Sequence, residues 1–335
     1  MRIRGTHRIA AVSLCALMLA SGCVSSNGPG ATDARLSLTF GVGREPLSVL
    51  AYVAEHEGLF AANGLDVTFV EYHGGNKQAH EALIKGEVDV ALCTDTPVVI
   101  GALSGSPVTV VATVGRNPND IKILARKSAG IADAAGLRGK RVGVQRGTAA
   151  DFFLHSYLGL QGLSDDDAEI VNGSHAEVAE ALIAGGLDAA AVREPQDTQV
   201  AEVLGDDLLV LDEPGLYVKT ANLCFDPDRP VEPEALRRLA RTLIQAEELM
   251  AGGRSALLRE TVAERIGVDP DALRPASFEP GSVSLRQALV LNFEDQALWA
   301  VSEGIVTDAG AFDALALMDP RTLDAVDAER VSIIR

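Results

Sequence analysis

The pattern of apolar and polar positions is repeated in the two halves of the chain. Glu81–Leu92 (EALIKGEVDVAL) and Glu180–Ala191 (EALIAGGLDAAA) both combine a helix end, a glycine that stops the helix, an aspartate and an apolar strand. Two further strand patterns precede each copy, at Phe40–Arg44 and Leu65–Val70 in the first half and at Val142–Arg146 and Ala168–Val171 in the second. This order predicts two similar α/β lobes of βαβ units with parallel sheets.

The remaining segments indicate how the two lobes are connected. Pro107–Lys127 contains two strand-like runs, and Val218–Phe225 predicts a return strand. Beyond it, apolar residues recur at helical spacing over 234–250, 256–266 and 284–304. We therefore expect a discontinuous first lobe (36–126 and 222–335) around a continuous second lobe (127–221), with a hinge at the two crossings and a ligand cleft between the lobes.

The first 23 residues have the pattern of an export signal. Arginines precede Ile9–Ala20, an apolar run too short to span about 30 Å of hydrocarbon as a helix. The following residues, up to Cys23, are small, and the pattern resembles a bacterial lipobox, although Ala20 stands where leucine is usual. The resemblance implies cleavage before Cys23 and lipidation of its sulfur, with 24–35 as a flexible tether. An ordinary secretory signal is the alternative.

Composition limits the classes of partner and chemistry. The chain has 47 acidic and 29 basic residues and a formal net charge of −18, which argues against binding to nucleic acid or anionic lipid. Cys93 and Cys224 have no partner at metal-binding spacing, so we expect two buried thiols and no metal site. The chain has no Walker loop and no nucleophile elbow, and we expect no catalytic residue and no cofactor.

Several motifs together resemble one family of transport proteins. They are AYVAEHEGLFAANGLDVTFVEYHGG (51–75), LIKGEVDVAL (83–92), LRGKRVGVQRGT (137–148), LIAGGLDAAAVREP (182–195) and DPRTLDAVDAERVSII (319–334). In this order the chain resembles the substrate-binding components of ABC importers for nitrate, sulfonates, taurine and thiamine-pyrimidine precursors. The resemblance implies a type II periplasmic-binding-protein fold and a monomer held at the membrane only by lipid, at the periplasmic or outer face of the cell envelope. It also implies an ABC permease and ATPase as partners.

The same resemblance places the return strand beside the third strand of the first lobe. This neighbourhood makes a disulfide between Cys93 and Cys224 geometrically possible.

The candidate ligand-binding residues follow the predicted strands, because ligands of open α/β sheets bind beyond the carboxyl ends of the strands. These candidates are Arg44, Glu45, Thr94, Asp95, Thr96 and Asn117 in the first half, and Arg146, Gly147, Thr148, Ala149, Arg193 and Glu194 in the second. The arginines and the helix N-termini favour an anionic solute. The neighbouring acids either orient the arginines or, at Asp95 or Glu194, hold the ammonium of a zwitterion such as taurine.

These observations favour a solute-binding protein of an ABC importer, with sulfonates or taurine ahead of nitrate. A pyrimidine or other heterocycle is the alternative, although the chain has few aromatic residues to stack on it. A sensor that presents its ligand to a receptor would share the same sequence pattern.

One small cluster of residues allows an enzyme as a less favoured hypothesis. His73, Lys77 and His80 resemble, in general plan only, a related eukaryotic branch that makes thiamine pyrimidine from pyridoxal phosphate. A solvated helix start capped by Asn76 is the favoured account of this segment.

Overall fold

Strands and helices alternate through most of the chain, as the repeated pattern predicts. The computed structural model describes residues 35–273, 282–307 and 309–334. The predicted signal and nearly all of the predicted tether, with the lipidation site at Cys23, lie outside the described residues. The strands are β1 (Leu36–Gly43), β2 (Leu65–Tyr72), β3 (Val90–Thr94), β4 (Thr109–Asn117), β5 (Ile121–Arg126), β6 (Arg141–Val144), β7 (Glu169–Asn172), β8 (Ala189–Arg193), β9 (Leu208–Leu211), β10 (Lys219–Phe225), β11 (Leu285–Arg286) and β12 (Val331–Ser332).

The α-helices follow the strands in a regular order. They are α1 (Val49–His56), α2 (Leu59–Ala62), α3 (Gly75–Lys85), α4 (Asp95–Leu103), α5 (Ala149–Leu160), α6 (His175–Ile183), α7 (Gln196–Leu204), α8 (Pro233–Ala251), α9 (Ser255–Ile266), α10 (Gln287–Ser302) and α11 (Pro320–Asp327). Among the described helices, none has both the length and the apolar character needed to cross a membrane.

Two five-stranded sheets form the framework. The first has the order β2-β1-β3-β10-β4 and the second the order β7-β6-β8-β5-β9. Three neighbouring strands of each sheet are parallel, and an antiparallel strand, β10 or β5, follows them. The α/β fold with two related sheets is confirmed, and so is the position of the return strand beside β3.

The connections between the sheets differ in detail from the expected crossings. The strand β5, which we assigned to the first lobe, pairs with β8 and β9 in the second sheet. The return strand begins at Lys219, three residues before the expected start of the second part of the first lobe. By strand pairing, the crossings lie between Asn117 and Ile121 and between Leu211 and Lys219. The lobe boundaries themselves stay a prediction.

Apolar strands build the core of each sheet. Every residue of β3 and of β10 is buried, as expected for strands covered on both faces. The repeated glycines end the helices as predicted, because Gly86 and Gly185 have φ angles of 76° and 77° just beyond α3 and α6. The two halves of the sequence repeat therefore fold in the same way.

The two cysteines lie on neighbouring strands and are free thiols. Cys224 is opposite Ala91, and Asn222 is opposite Cys93, so the cysteines are diagonal neighbours. Diagonal neighbours in an antiparallel pair have Cα atoms about 7–8 Å apart, beyond the usual 4.4–6.8 Å of a disulfide.

We predict that protein beginning after Cys23 exposes two reactive thiols when it is unfolded without reductant, and none when native, because both side chains are buried. Thiol titration in the presence and absence of denaturant measures this, and Cys93→Ala should halve the count. A count of zero in the unfolded protein would mean that the two sulfurs are joined.

Candidate functional site

A small cavity lies where the carboxyl ends of strands from both sheets meet. Its volume is about 160 Å³, and we call it the cleft. The residues that line it are Glu45, Gly74, Gly75, Asn76, Lys77, Thr94, Pro97, Ile121, Gln145, Gly147, Thr148, Ala149, Ala150, His175, Arg193 and Lys219. Elements of both sheets contribute, including the first residues of β5 and β10, so a ligand held here would contact both halves of the fold.

Three helices begin at the cleft without a side-chain cap. The residues that precede α3, α4 and α5 are Gly74, Thr94 and Thr148, and none of their side chains caps the helix within the described structure. By contrast, Ser174 and Glu177 form a complete capping box at the start of α6. The first N–H groups of a helix have no partner inside it, and they favour anions. At α3 the N–H of Asn76 already donates to Glu45, and at α4 the N–H of Thr96 donates to Asp95 and Pro97 has no N–H. The backbone donors that suit an anionic ligand are therefore those at the start of α5.

A buried lysine at one crossing is neutralised by two carboxylates. Lys219 Nζ lies 3.0 Å from an Asp120 oxygen and 3.5 Å from a Glu45 oxygen. Burial alone would lower the pKa of Lys219, but Asp120 and Glu45 raise it. The other Glu45 oxygen accepts a hydrogen bond of 2.7 Å from the backbone N–H of Asn76. Glu45 is thus already bonded within the protein, although it lines the cleft.

Arg193 is a cation of the cleft that forms no direct ion pair with a described residue. It is the last residue of β8, and no described carboxylate lies within 4.0 Å of its guanidinium. Burial raises the pKa of Asp120, but Lys219 and Arg193 lower it below its ordinary value, so the charge of Arg193 acts on that carboxylate. The guanidinium N–H groups nevertheless have no direct carboxylate partner among the described residues and can donate to a ligand.

Two neutral side chains of the cleft also have unused polar atoms. His175 Nδ1 and Asn76 Nδ2 are buried, and neither has a hydrogen-bond partner among the described residues. Burial, together with the charges of Arg193 and Lys219, lowers the pKa of His175 to about 4, so the imidazole is neutral at neutral pH. Buried polar atoms are rarely left without a partner, and a bound solute would supply one.

Half of the predicted ligand-binding residues line the cleft. They are Glu45, Thr94, Gly147, Thr148, Ala149 and Arg193. Asn117 and Glu194 line a separate cavity of about 50 Å³ beside it. Arg44 turns towards α9, where its guanidinium donates to the carbonyl of Arg265. All these residues stay predictions as ligand contacts.

Asp95 and Thr96 are buried in the protein and do not line the cleft. The Asp95 carboxylate accepts hydrogen bonds from the Tyr217 hydroxyl at 2.7 Å and from Asn292 Nδ2 at 3.0 Å. Burial raises the pKa of Asp95, and these hydrogen bonds oppose that effect. Its carboxylate therefore serves the packing of α4 against α10.

Arg146 is bonded to carboxylates outside the cleft lining. Its guanidinium lies 3.0 Å from Asp151, 3.2 Å from Asp165 and 3.8 Å from Glu303. Arg146, which follows β6, is thus bonded to carboxylates within the protein, whereas Arg193, which ends β8, forms no such ion pair in the described part of the chain.

Sequence reasoning missed four polar residues of the cleft, Asn76, Gln145, His175 and Lys219, and considered Lys77 only in the enzyme-like cluster. The predicted cap by Asn76 is wrong, because α3 begins at Gly75 and Asn76 Oδ1 accepts from the N–H of Gly43 at 2.8 Å. Asn76 and His175 follow β2 and β7, so the same rule of strand ends would have found them had it been applied to these strands. Lys219 is marked by its position at the start of the return strand.

The cluster considered as enzyme-like is not assembled as a site. Lys77 is exposed and hydrogen-bonded to Glu81. His80 is buried, and burial lowers its pKa to about 4. Lys77 is therefore exposed to solvent while His80 is buried, so the two side chains do not form a common site.

A larger cavity of about 280 Å³ lies beside β4 and α10. Phe152 is the one residue in its lining that belongs to an element packed on the second sheet. A ligand there would leave the two sheets largely unconnected.

Comparison with known proteins identifies relatives over most of the described chain. The family model described as NMT1/THI5 like matches residues 46–250. A binding protein of Brucella abortus is 25% identical over 209 residues, which are 58% of this chain and 61% of that protein. An aliphatic sulfonates-binding protein of Bacillus subtilis is 28% identical over 190 residues, 55% of this chain and 56% of its own length. The chain thus spans less than two thirds of the length of these relatives.

Solved structures share the fold over a longer region. The alkanesulfonate-binding protein SsuA from Xanthomonas axonopodis pv. citri, bound to MOPS, has a TM-score of 0.66 at 20% identity, covering 86% of this chain and 99% of that one. The periplasmic nitrate-binding protein NrtA from Synechocystis PCC 6803 has a TM-score of 0.66 at 12% identity, covering 88% and 89%. At these identities the likeness concerns the fold alone.

We predict that Glu194→Gln changes the pH dependence of stability. A hydrogen bond with Asp197, assisted by burial, raises the pKa of Glu194 from 4.5 to about 7. The native state therefore holds a proton that the unfolded chain releases near pH 4.5, and this stabilisation is lost as the pH rises through about 7. The wild type should lose stability relative to Glu194→Gln between pH 5 and 8, as urea midpoints at both pH values would show. Exposed Glu213→Gln is the control, and a pH-independent difference for Glu194→Gln would contradict the shift.

Proposed function

Because the chain belongs to the NMT1/THI5-like family, we propose that it is an exported, lipid-anchored solute-binding protein that captures a small oxyanion, with alkanesulfonates favoured. In this proposal the solute binds in the cleft without being chemically changed, and an ABC permease with its ATPase receives it. The supporting observation is the position of Arg193, a cation without a direct ion pair within the described structure, in the same cleft as the N-terminus of α5, whose first N–H groups have no partner within the helix.

The polar groups of the cleft match a ligand with several acceptor oxygens. Arg193 supplies charge-assisted hydrogen bonds, and Asn76 Nδ2 is an unused donor. The N–H groups of Ala149 and Ala150, at the start of α5, have no partner within their helix. These donors come from both sheets, so a tetrahedral or planar oxyanion would bridge them. Such bridging supports closure of the two halves around the solute.

The charges favour an anion over a zwitterion. An ammonium group would need a carboxylate in the cleft that is not already bonded. Glu45 is the carboxylate in the described lining, and it is bonded to Lys219 and to the N–H of Asn76. Asp95 is bonded to Tyr217 and Asn292, away from the lining. We therefore place simple alkanesulfonates ahead of taurine, with nitrate as the next candidate.

The size and lining of the cleft argue against a heterocycle. Its volume of about 160 Å³ lies below the roughly 300–1,000 Å³ of pockets for drug-sized ligands. Among the described lining residues none is Phe, Tyr or Trp, so no aromatic ring is available to stack on a pyrimidine or a flavin. A thiamine-pyrimidine precursor is therefore the less favoured solute.

A ligand screen tests the proposed function. The purified protein would be melted with ethanesulfonate, taurine, nitrate, a thiamine pyrimidine and riboflavin, each in large excess. A ligand at about 100 times its dissociation constant adds roughly 2.7 kcal/mol to stability and raises the melting temperature measurably. We expect the largest rise with ethanesulfonate. A rise with heterocycles alone would contradict the proposal.

We predict that Arg193→Gln weakens ethanesulfonate binding by about 1.5–3 kcal/mol, or roughly 10- to 150-fold, because a charged hydrogen bond is lost. Calorimetric titration measures the change. Arg141→Gln is the matched control, since Arg141 begins β6 in the same sheet at the end away from the cleft. Equal affinities of Arg193→Gln and the wild type would remove Arg193 from the site.

A further inference from the structure

Three potential metal ligands from distant parts of the sequence converge outside the cleft. They are His155 on α5, Asp165 in the turn before β7, and Glu303 directly after α10. Their ligand atoms all lie within 4.8 Å of one another. We propose that these three side chains form a binding site for a divalent transition-metal ion such as Zn²⁺.

The separations of the ligand atoms suit tetrahedral coordination. His155 Nδ1 lies 3.2 Å from Asp165 Oδ1 and 3.6 Å from Glu303 Oε1. Zinc binds imidazole nitrogen and carboxylate oxygen at about 2.0–2.2 Å, so two ligand atoms of a tetrahedral site are about 3.3–3.6 Å apart. Small rotations of half-buried side chains would bring all three atoms onto one ion, and water would take the fourth position.

Arg146 holds the outer oxygens of both carboxylates. Its guanidinium lies 3.2 Å from Asp165 Oδ2 and 3.8 Å from Glu303 Oε2. The oxygens that face His155 are the other two, Oδ1 and Oε1. Contacts to the outer oxygens orient metal-binding carboxylates. Here a hydrogen bond to Asp165 and an ion pair with Glu303 leave the inner oxygens facing the imidazole. Arg146 is accordingly a positioning residue and does not ligate the ion.

The local charge also favours a divalent cation. Arg146 is paired at 3.0 Å with the buried Asp151, so these two charges cancel. Asp165 and Glu303 then carry two negative charges beside a histidine. One divalent ion bound by the imidazole nitrogen would neutralise both carboxylates, whereas a proton on that nitrogen adds a single positive charge.

The site joins elements that pack on different sheets. Its first two members lie on α5, which follows β6, and in the turn before β7, both in the second half of the repeat. The third, Glu303, directly follows α10, which packs against α4 beside the first sheet. The rings of Phe152 on α5 and Trp299 on α10 are 5.5 Å apart, so the two helices already touch here. A bound ion would therefore fasten the two halves at a point outside the cleft, whichever solute the cleft holds.

Calorimetric titration of chelator-treated protein with zinc chloride tests this site. We expect one saturable equivalent of Zn²⁺ for the wild type and at least tenfold weaker binding for His155→Ala and for Glu303→Gln. The control is His56→Ala, which removes another accessible histidine beside a glutamate and should leave the affinity unchanged.

Two results would overturn the assignment. Absence of saturable binding to the wild type would leave the cluster as ion pairs alone. Binding that is equal in the wild type and in both His155→Ala and Glu303→Gln would place the zinc elsewhere. The Co²⁺-substituted protein offers a second readout, because tetrahedral cobalt gives an intense visible spectrum that His155→Ala should abolish.

Discussion

Parallel strands bring the N-termini of the helices that follow them to one edge of the sheet, and in this protein two such edges meet at one cleft. The N–H groups at these helix starts need acceptors. The protein supplies a capping box at α6, and the carboxylates of Glu45 and Asp95 accept from the N–H groups of Asn76 in α3 and Thr96 in α4. The start of α5 has no such side-chain cap from the described residues, so its N–H groups stay available in the cleft, and the preference for an oxyanion follows from this constraint.

Side-chain charges refine that preference because most of them are already neutralised. Lys219 is balanced by Asp120 and Glu45, and Arg146 by Asp151 and its neighbouring carboxylates. Arg193 is left to meet a solute. An overall formal charge of −18 says little about such a site, because affinity for a small anion depends on the few groups within hydrogen-bond distance.

The strands and helices could be predicted well from the sequence, but the distant ion-pair and hydrogen-bond partners of individual side chains could not. The repeat, its strands and its stopping glycines follow from residues close together in the chain, so they could be recognised without a structure. Whether a charged side chain after a strand faces the cleft depends on partners that are distant in the sequence. Glu303 is over 150 residues from Arg146, and Asn292 is 197 residues from Asp95. The position of β5 was misjudged because its apolar pattern suits either sheet.

The most direct test of the oxyanion cleft is a crystal structure of the protein with ethanesulfonate. Our account predicts sulfonate oxygens within hydrogen-bond distance of the Arg193 guanidinium and of the N–H groups that begin α5, with the two sheets closed around the ligand. Sulfonate bound instead in the larger cavity beside Arg116 and Asn292, with Arg193 left unbonded, would contradict it.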